Sequence, residues 1–390
     1  MRRNPKGPYF KCNMKLVLAI TGAEKISGGI ASLNLNILHS IKELSKEKNT
    51  NVRILSYLES DKDKPNFLPP RISFRGCEGD KKSFSISLIK ESFKQTAFIF
   101  DHVTLALPVL PFAAAGLIRT VIYAHGSEAW REVRATSKWS FQQADLCLTN
   151  SHFTLRKMKS RFSGFNAEPC PLGLSPKFEL SSTIPDSAER SLHLEAADGK
   201  KYLLGERLLL LVGRMSKSEP GKGRRVLLKV LPDLVESDSR VQVAFPGQGD
   251  ELEELKRTAH RQGVSDRVFF PGFVSEKLLK QFYRQCFAYV MPSQQEGFGL
   301  VYLEAMNYGK PCVGCSDDGA EDIIVDGETG LLIEDRKNKR EVEKKLKWLV
   351  SCPEEAERMG KKGFKRLHNK FTSGKFRNRF KKHLIKYTKS

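Results

Sequence analysis

The chain repeats one local order twice: an apolar run, a glycine-bearing loop, then apolar residues at helical spacing. Residues 16–21 form the first run and residues 22–29 its loop, after which Ile30, Leu33, Ile37 and Ile41 recur at the helical period. Residues 52–58, 98–100, 121–124 and 146–150 read as further strands, with Ser151 as the N-cap of a helix over 152–159. The order restarts with a strand over 207–212, Gly213 and a second glycine loop, and a helix over 226–235. A strand over 241–245 and a helix over 251–262 follow, and residues 268–270, 287–291, 312–314 and 331–333 complete the strands. Such alternation through short loops predicts an α/β fold built on parallel sheets with both faces covered. At 390 residues the chain exceeds the roughly 250–300 that one hydrophobic core serves. The expectation is therefore two Rossmann-like domains facing across a cleft, over 1–180 and 181–372. Residues 373–390 read as a basic C-terminal helix crossing back to the first domain, and the polar stretch 181–199 as a linker or excursion.

Composition removes several classes. Hydrophobic content of 40% and charged content of 28% are ordinary for globular chains and exclude wholesale disorder. The longest apolar run, 103–118, is 16 residues and carries Pro108 and Pro111, short of the ~20 residues a bilayer requires. Arg2, Arg3 and Lys15 precede a short apolar stretch over 16–20, below the roughly 7–15 residues of a signal-peptide core. That stretch reads instead as a first buried strand, Met14 is a second candidate start, and a cytoplasmic protein is expected. The eight cysteines are scattered and read as small buried hydrophobes of a reducing compartment. Cys312 and Cys315 have CxxC spacing but no second pair to complete a zinc site.

The segment 291–306 carries the most chemistry. A strand ends at Met291, a loop carries Glu296, and a helix begins near Gly299 with Glu304 in its first two turns. Free N–H groups at such a start attract a diphosphate, and Gly297 and Gly299 let a ligand approach the backbone. Two carboxylates there can accept hydrogen bonds from sugar hydroxyls, although an acidic helix start alone would look much the same. Arg214 and Lys222 lie eight residues apart across a glycine loop and supply permanent positive charge. His125 follows a β-rich run and precedes Gly126, at the C-terminal end of a strand, where open α/β sheets bind ligands. The pair Asp61 and Asp63 has the spacing of a metal-binding Asp-x-Asp, but Lys62 and Lys64 repel a divalent ion.

The run from Glu296 to Glu304 resembles the E-x7-E motif of retaining GT-B glycosyltransferases, particularly glycosyltransferase family 4. The resemblance extends from about Met14 to Phe371. It includes Gly28-Gly29, His125-Gly126, the segment 144–151, Gly213-Arg214 with Lys222-Gly223, Pro246 to Asp250, Val268 to Phe273, and Asp326 to Gly330, all in the family's order. It implies that Arg214 and Lys222 clamp the donor phosphates, Glu296 binds the sugar hydroxyls and Glu304 the ribose. It further implies that His125 contacts the donor sugar near the reacting carbon. Gly28, Gly29, Phe273, Gly297, Phe298, Gly299, Leu300 and Val301 complete the implied donor set. Transfer from a nucleotide sugar is expected, UDP-linked before GDP-linked, to a lipid-linked saccharide or polysaccharide acceptor, with no metal and no cofactor. Residues 316–322 depart from the family's usual segment by one extra acidic residue.

Charge leaves a second class open. The net charge is +21, and residues 336–390 hold 20 Lys/Arg against 5 Asp/Glu. Nucleic-acid binding is the rival function, although Phe364, Phe371, Phe376 and Phe380 fit an amphipathic helix as well as an RNA motif. A sugar-nucleotide epimerase of the same architecture is the rival within enzymes. Phe376, Phe380, Leu384 and Tyr387 form one helical stripe, expected to pack on the first domain. Lys375, Arg377, Arg379, Lys381, Lys382 and Lys386 are expected to stay free to meet an anionic membrane face.

Overall fold

The computed structural model describes residues 15–389 except 27, 49–50, 95, 132, 186–191, 196–200, 218–219 and 295. The second candidate start at Met14, the segment before it and the side chain of Tyr387 lie outside the described residues. The chain divides into two compact units, one of Met1–Phe178 with Phe371–Ser390 and the other of Glu179–Lys370.

In the first unit, β1 (Lys15–Ile20), β2 (Val52–Ser56), β3 (Ser73–Gly76), β4 (Thr96–Phe100), β5 (Arg119–Ala124), β6 (Leu146–Thr149) and β7 (Ala167–Pro169) form one sheet. Their order is β3-β2-β1-β4-β5-β6-β7 and every pairing is parallel. The apolar runs that read as continuous rather than alternating are the central strands. Val17 to Ile20, Phe98 to Phe100 and Ile122 to Ala124 are all buried, as a parallel sheet covered on both faces demands. Order reverses between β1 and β4, so their C-terminal ends open a crevice there.

The second unit repeats the plan. β10 (Arg207–Leu210), β11 (Val241–Ala244), β12 (Val268–Phe269), β13 (Ala288–Val290), β14 (Cys312–Cys315) and β15 (Gly330–Ile333) form a parallel sheet in the order β12-β11-β10-β13-β14-β15. Its order reverses between β10 and β13, the two strands that precede Gly213 and Glu296. The stretch expected as a linker or excursion contains β8 (Leu192–Glu195), which pairs antiparallel with β9 (Lys201–Leu204).

The 103–118 run forms a 3-10 segment, Val103–Val109, and a short helix, Leu110–Ala114. Among the described residues no helix is long and apolar enough to cross a membrane.

The helix Ser373–Lys389 packs on the helix Gly29–Lys48, within the first unit. Phe376, Phe380 and Leu384 are buried, as the stripe requires. Its cations, however, are not all free as expected. Arg377 and Lys381 pair with Glu43 at 2.8 and 2.9 Å, and Lys386 pairs with Glu168 at 2.5 Å. Arg379 donates to the Pro171 carbonyl at 2.7 Å, while Lys375 and Lys382 are exposed. Glu43 and Glu168, distant in sequence, intercept charges that a helical wheel leaves facing outward. Replacing Phe376 by alanine leaves a void against Gly173 and Phe380 and is expected to cost about 3–5 kcal/mol. A lower denaturant midpoint for unfolding of the first unit checks this.

Candidate active site

The second unit assembles its site from three segments that meet at the C-terminal ends of β10 and β13. After β10 the chain reaches Gly213, whose carbonyl accepts Arg224 Nη2 at 2.5 Å. Arg224 is 2% exposed, so this guanidinium is a structural strut beneath the site. Gly247, at φ 139°, lies flat on the same carbonyl; a Cβ there would stand 2.2 Å from the Gly213 oxygen. The Pro246 to Gly249 motif therefore supports the backbone that carries Arg214, whose own side chain is exposed.

Lys222 ends the turn Pro220–Lys222. That turn is strapped to the loop after β13: the Gln294 N–H donates to Gly221 O at 2.8 Å, and Arg336 Nη1 donates to the same oxygen at 2.7 Å. Gly223 adopts φ 85° and a Cβ would stand 2.4 Å from Pro292 O, so only glycine admits this approach. The strap brings Lys222 Nζ to 3.5 Å from Glu296 Oε2, with both side chains about one-quarter exposed (26% and 27%). A pair this exposed is worth roughly 0–1 kcal/mol, so an incoming anion can compete for the ammonium at little cost.

The helix Leu300–Met306 begins after Gly299, whose φ of 92° makes it a left-handed N-cap. Being only seven residues long, it supplies a small dipole, and the Lys222 ammonium beside Glu296 is a full charge. Phe298 is 2% exposed and contributes its backbone alone, Leu300 and Val301 are half-buried, and Phe273 is 78% exposed. Glu304 accepts the Tyr283 hydroxyl at 2.7 Å, and burial pushes its carboxyl up to about 7.

In the first unit, His125 follows β5 and its Nε2 bonds the Asp101 carbonyl. A carbonyl only accepts, so Nε2 carries a proton. Asp101 is fully buried at the end of β4; its carboxylate accepts the Thr21 N–H at 2.8 Å and Asn34 Nδ2 at 2.6 Å. Asp101 thus ties the segment after β1, which leads to Gly28 and Gly29, to His125. Burial raises its carboxyl. His102 stacks against His125 with centroids 6.0 Å apart, and burial lowers its imidazole.

Sequence reasoning did not find Asp101, His102, Asn34, Arg224 or Arg336. For Asp101 and His102 a signal existed, since both directly follow a strand next to the reversal in strand order. The metal rival is placed elsewhere. Asp63 accepts Ser60 N and Oγ and pairs with Lys25 at 2.6 Å, and Asp61 accepts the Gly76 N–H. Cys312 and Cys315 are buried on β14, with burial pushing the Cys315 thiol up to about 12. Among the described residues no cluster of three or more His, Cys, Asp or Glu has metal-binding geometry.

Residues 197–366 match the family model described as Glycosyl transferases group 1. The chain resembles the family 4 glycosyltransferases. Its backbone superposes on the Anabaena protein HepE in complex with UDP at a TM-score of 0.74, covering 96% of this chain and 100% of that one at 16% identity. Sucrose-phosphate synthase from Thermosynechococcus elongatus gives 0.74, covering 96% and 99% at 17% identity. These likenesses establish the GT-B fold. By sequence, the chain is 28% identical over 228 residues to the GDP-mannose-dependent alpha-(1-6)-phosphatidylinositol monomannoside mannosyltransferase of Mycolicibacterium smegmatis (strain ATCC 700084 / mc(2)155), covering 56% of this chain and 58% of the relative. It is 34% identical over 166 residues to spore coat protein SA of Bacillus subtilis (strain 168), covering 41% and 43%. The chain therefore spans about half the length of these two curated relatives.

In this glycosyltransferase-like unit, Glu304 links stability to pH. Its carboxyl rises from 4.5 to about 7, so the native state keeps a proton that the unfolded chain releases. Its contribution to stability therefore falls as pH rises from about 4.5 to about 7 and is level above that. Glu304→Gln is expected to narrow the difference in melting temperature between pH 5 and pH 8.

Proposed function

We propose that the chain is a retaining glycosyltransferase that moves a hexose from a nucleoside diphosphate sugar to a saccharide or lipid-linked acceptor. The observation that carries this reading is the Lys222 ammonium held 3.5 Å from the Glu296 carboxylate, at the reversal point of the second sheet. A cation and a carboxylate side by side suit a ligand with a phosphate next to a polyol. Lys222 and Arg214 neutralise the charge that grows on the departing diphosphate, and Glu296 accepts hydrogen bonds from the sugar hydroxyls. The bond from C1 to the phosphate oxygen breaks and one from C1 to the acceptor oxygen forms, the acceptor proton passing to the diphosphate. Glu304 is assigned to the ribose and His125 to the transferred sugar, as the family resemblance implies.

A UDP-hexose is the first donor to test and GDP-mannose the second, since the HepE structure holds UDP and the Mycolicibacterium relative is named for GDP-mannose. On this reading the phosphates need no divalent ion. Transfer is expected to persist in excess EDTA, and abolition with rescue by manganese would contradict it. Glu296→Gln is expected to lower turnover roughly tenfold to a hundredfold with the fold intact, the loss of a charged acceptor being worth about 1.5–3 kcal/mol. Initial rates with a donor panel, beside circular dichroism of the variant, test this. Unchanged turnover removes Glu296 from the donor site. Arg214→Ala is expected to weaken both the donor and the free nucleoside diphosphate, read by calorimetric titration.

A further inference from the structure

Away from Lys222 and Glu296, the second unit holds a surface cavity of about 420 Å³ with no part in the function proposed above. It opens at the other edge of the sheet. Arg207 begins β10, and Asp238 and Arg240 directly precede β11, so the cavity and the loop at Gly213 stand at opposite ends of β10. Much of its remaining wall comes from two helix C-termini. Ser237 ends the helix Arg224–Ser237, and Lys347, Trp348 and Ser351 lie in the last turns of the helix Lys339–Ser351.

The charges around this cavity are close to balance. Arg240 donates to Asp238 through Nε at 2.9 Å and Nη2 at 2.8 Å, and Lys347 pairs with Glu343 at 2.8 Å. Arg207 is less well matched. Its side chain is 13% exposed, and its Nε stands 3.7 Å from Asp238 Oδ2, beyond hydrogen-bond distance. Among the described residues that Nε has no hydrogen-bond partner. The guanidinium is held over the Phe287 ring, 4.7 Å from its centroid. The helix ends supply the opposite character, because the last carbonyls of a helix lack intrahelical partners and carry partial negative charge. An anion here meets Asp238 and both helix ends, and a cation meets Arg207. A neutral hydroxyl suits both, accepting from a guanidinium and donating to a carbonyl. Trp348, 40% exposed, adds a flat apolar face, and Val350 and Pro353 add apolar lining.

We infer that this cavity binds a neutral saccharide, with one hexopyranose ring lying on Trp348 and its hydroxyls bonded to Arg207 and to the helix C-terminal carbonyls. The volume falls within the roughly 300–1,000 Å³ of small-molecule sites, which combine an apolar lining with a few polar groups. Lys222 and Glu296 take no part, so the assignment holds whether or not a nucleotide binds beside them.

Fluorine NMR of the full chain labelled with fluorotryptophan tests this, since Trp130, Trp139 and Trp348 are its three tryptophans. Trp348→Phe assigns the third signal by its loss. Glucose and maltotriose are each titrated, with glucuronate and glucosamine as charged counterparts. The neutral sugars are expected to shift the Trp348 signal saturably, with a Kd on the order of 1 mM. A lower Kd for maltotriose than for glucose identifies the occupant as a unit of a chain, and equal values identify a free sugar; both bear the inference out. Arg207→Met is expected to raise the Kd about tenfold through loss of a charged donor. Ser351→Arg adds bulk at an exposed helix C-terminus that tolerates a cation, and is expected to abolish the shift with an unchanged circular dichroism spectrum. Saturating UDP is expected to leave the response as it was. Absence of a Trp348 response to either neutral sugar up to about 50 mM overturns the inference. So do tighter binding of glucuronate or glucosamine, a Kd unchanged in Arg207→Met, a response that survives Ser351→Arg, and one that UDP abolishes.

Discussion

The second unit's site depends on backbone lying against backbone at the seam between the 220–223 turn and the loop after β13. Gly223 approaches the Pro292 carbonyl so closely that a single added carbon would stand 2.4 Å from its oxygen. That contact, with the Gln294 N–H and Arg336 both bonded to Gly221 O, makes one rigid piece from two segments some seventy residues apart in sequence. Lys222 and Glu296 ride on opposite sides of it. The backbone thus brings the two residues together, while the pair itself, 3.5 Å apart, is exposed and weak. Position is held by main chain, and charge is left available.

Behind that exposed pair the chemistry is the reverse. Asp318, 1% exposed, lies behind Glu296, and desolvation raises its carboxyl and that of half-buried Glu304 to about 7. Arg224, nearly as buried, contributes a guanidinium bond to the Gly213 carbonyl and no charge to the surface. The first unit shows the same layering, with buried Asp101 joining the segment after β1 to the helix Gly29–Lys48 by its carboxylate and to His125 by its carbonyl. In both units the residues that read as functional are presented by buried polar groups one layer further in.

Asp318, Arg224 and Asp101, the inner groups, are what the sequence conceals. Glu296, Arg214 and Lys222 stand beside glycines in loops that follow apolar runs, and such punctuation is visible in one dimension. Asp318 sits among Asp317, Glu321 and Asp322, and nothing in that order distinguishes the buried carboxylate from its neighbours. Asp61 and Asp63 have the more suggestive spacing, yet they are consumed by Ser60, Gly76 and Lys25. The C-terminal helix makes the same point for charge. Its apolar stripe was legible from spacings of four, but Glu43 and Glu168, which capture Arg377, Lys381 and Lys386, come from elsewhere in the chain.

By itself the sequence determined the two parallel sheets, because continuous apolar runs alternating with helical periods have no other way to bury both faces. It also determined that the glycine-bearing loops follow β10 and β13, since glycines at those places release the backbone from strand geometry. Only the tertiary structure decided which charges are exposed and which are buried, and which carboxylate faces which lysine. Periodicity orders a chain against itself over a few residues; burial and ion pairing depend on segments that meet only after the sheets have formed.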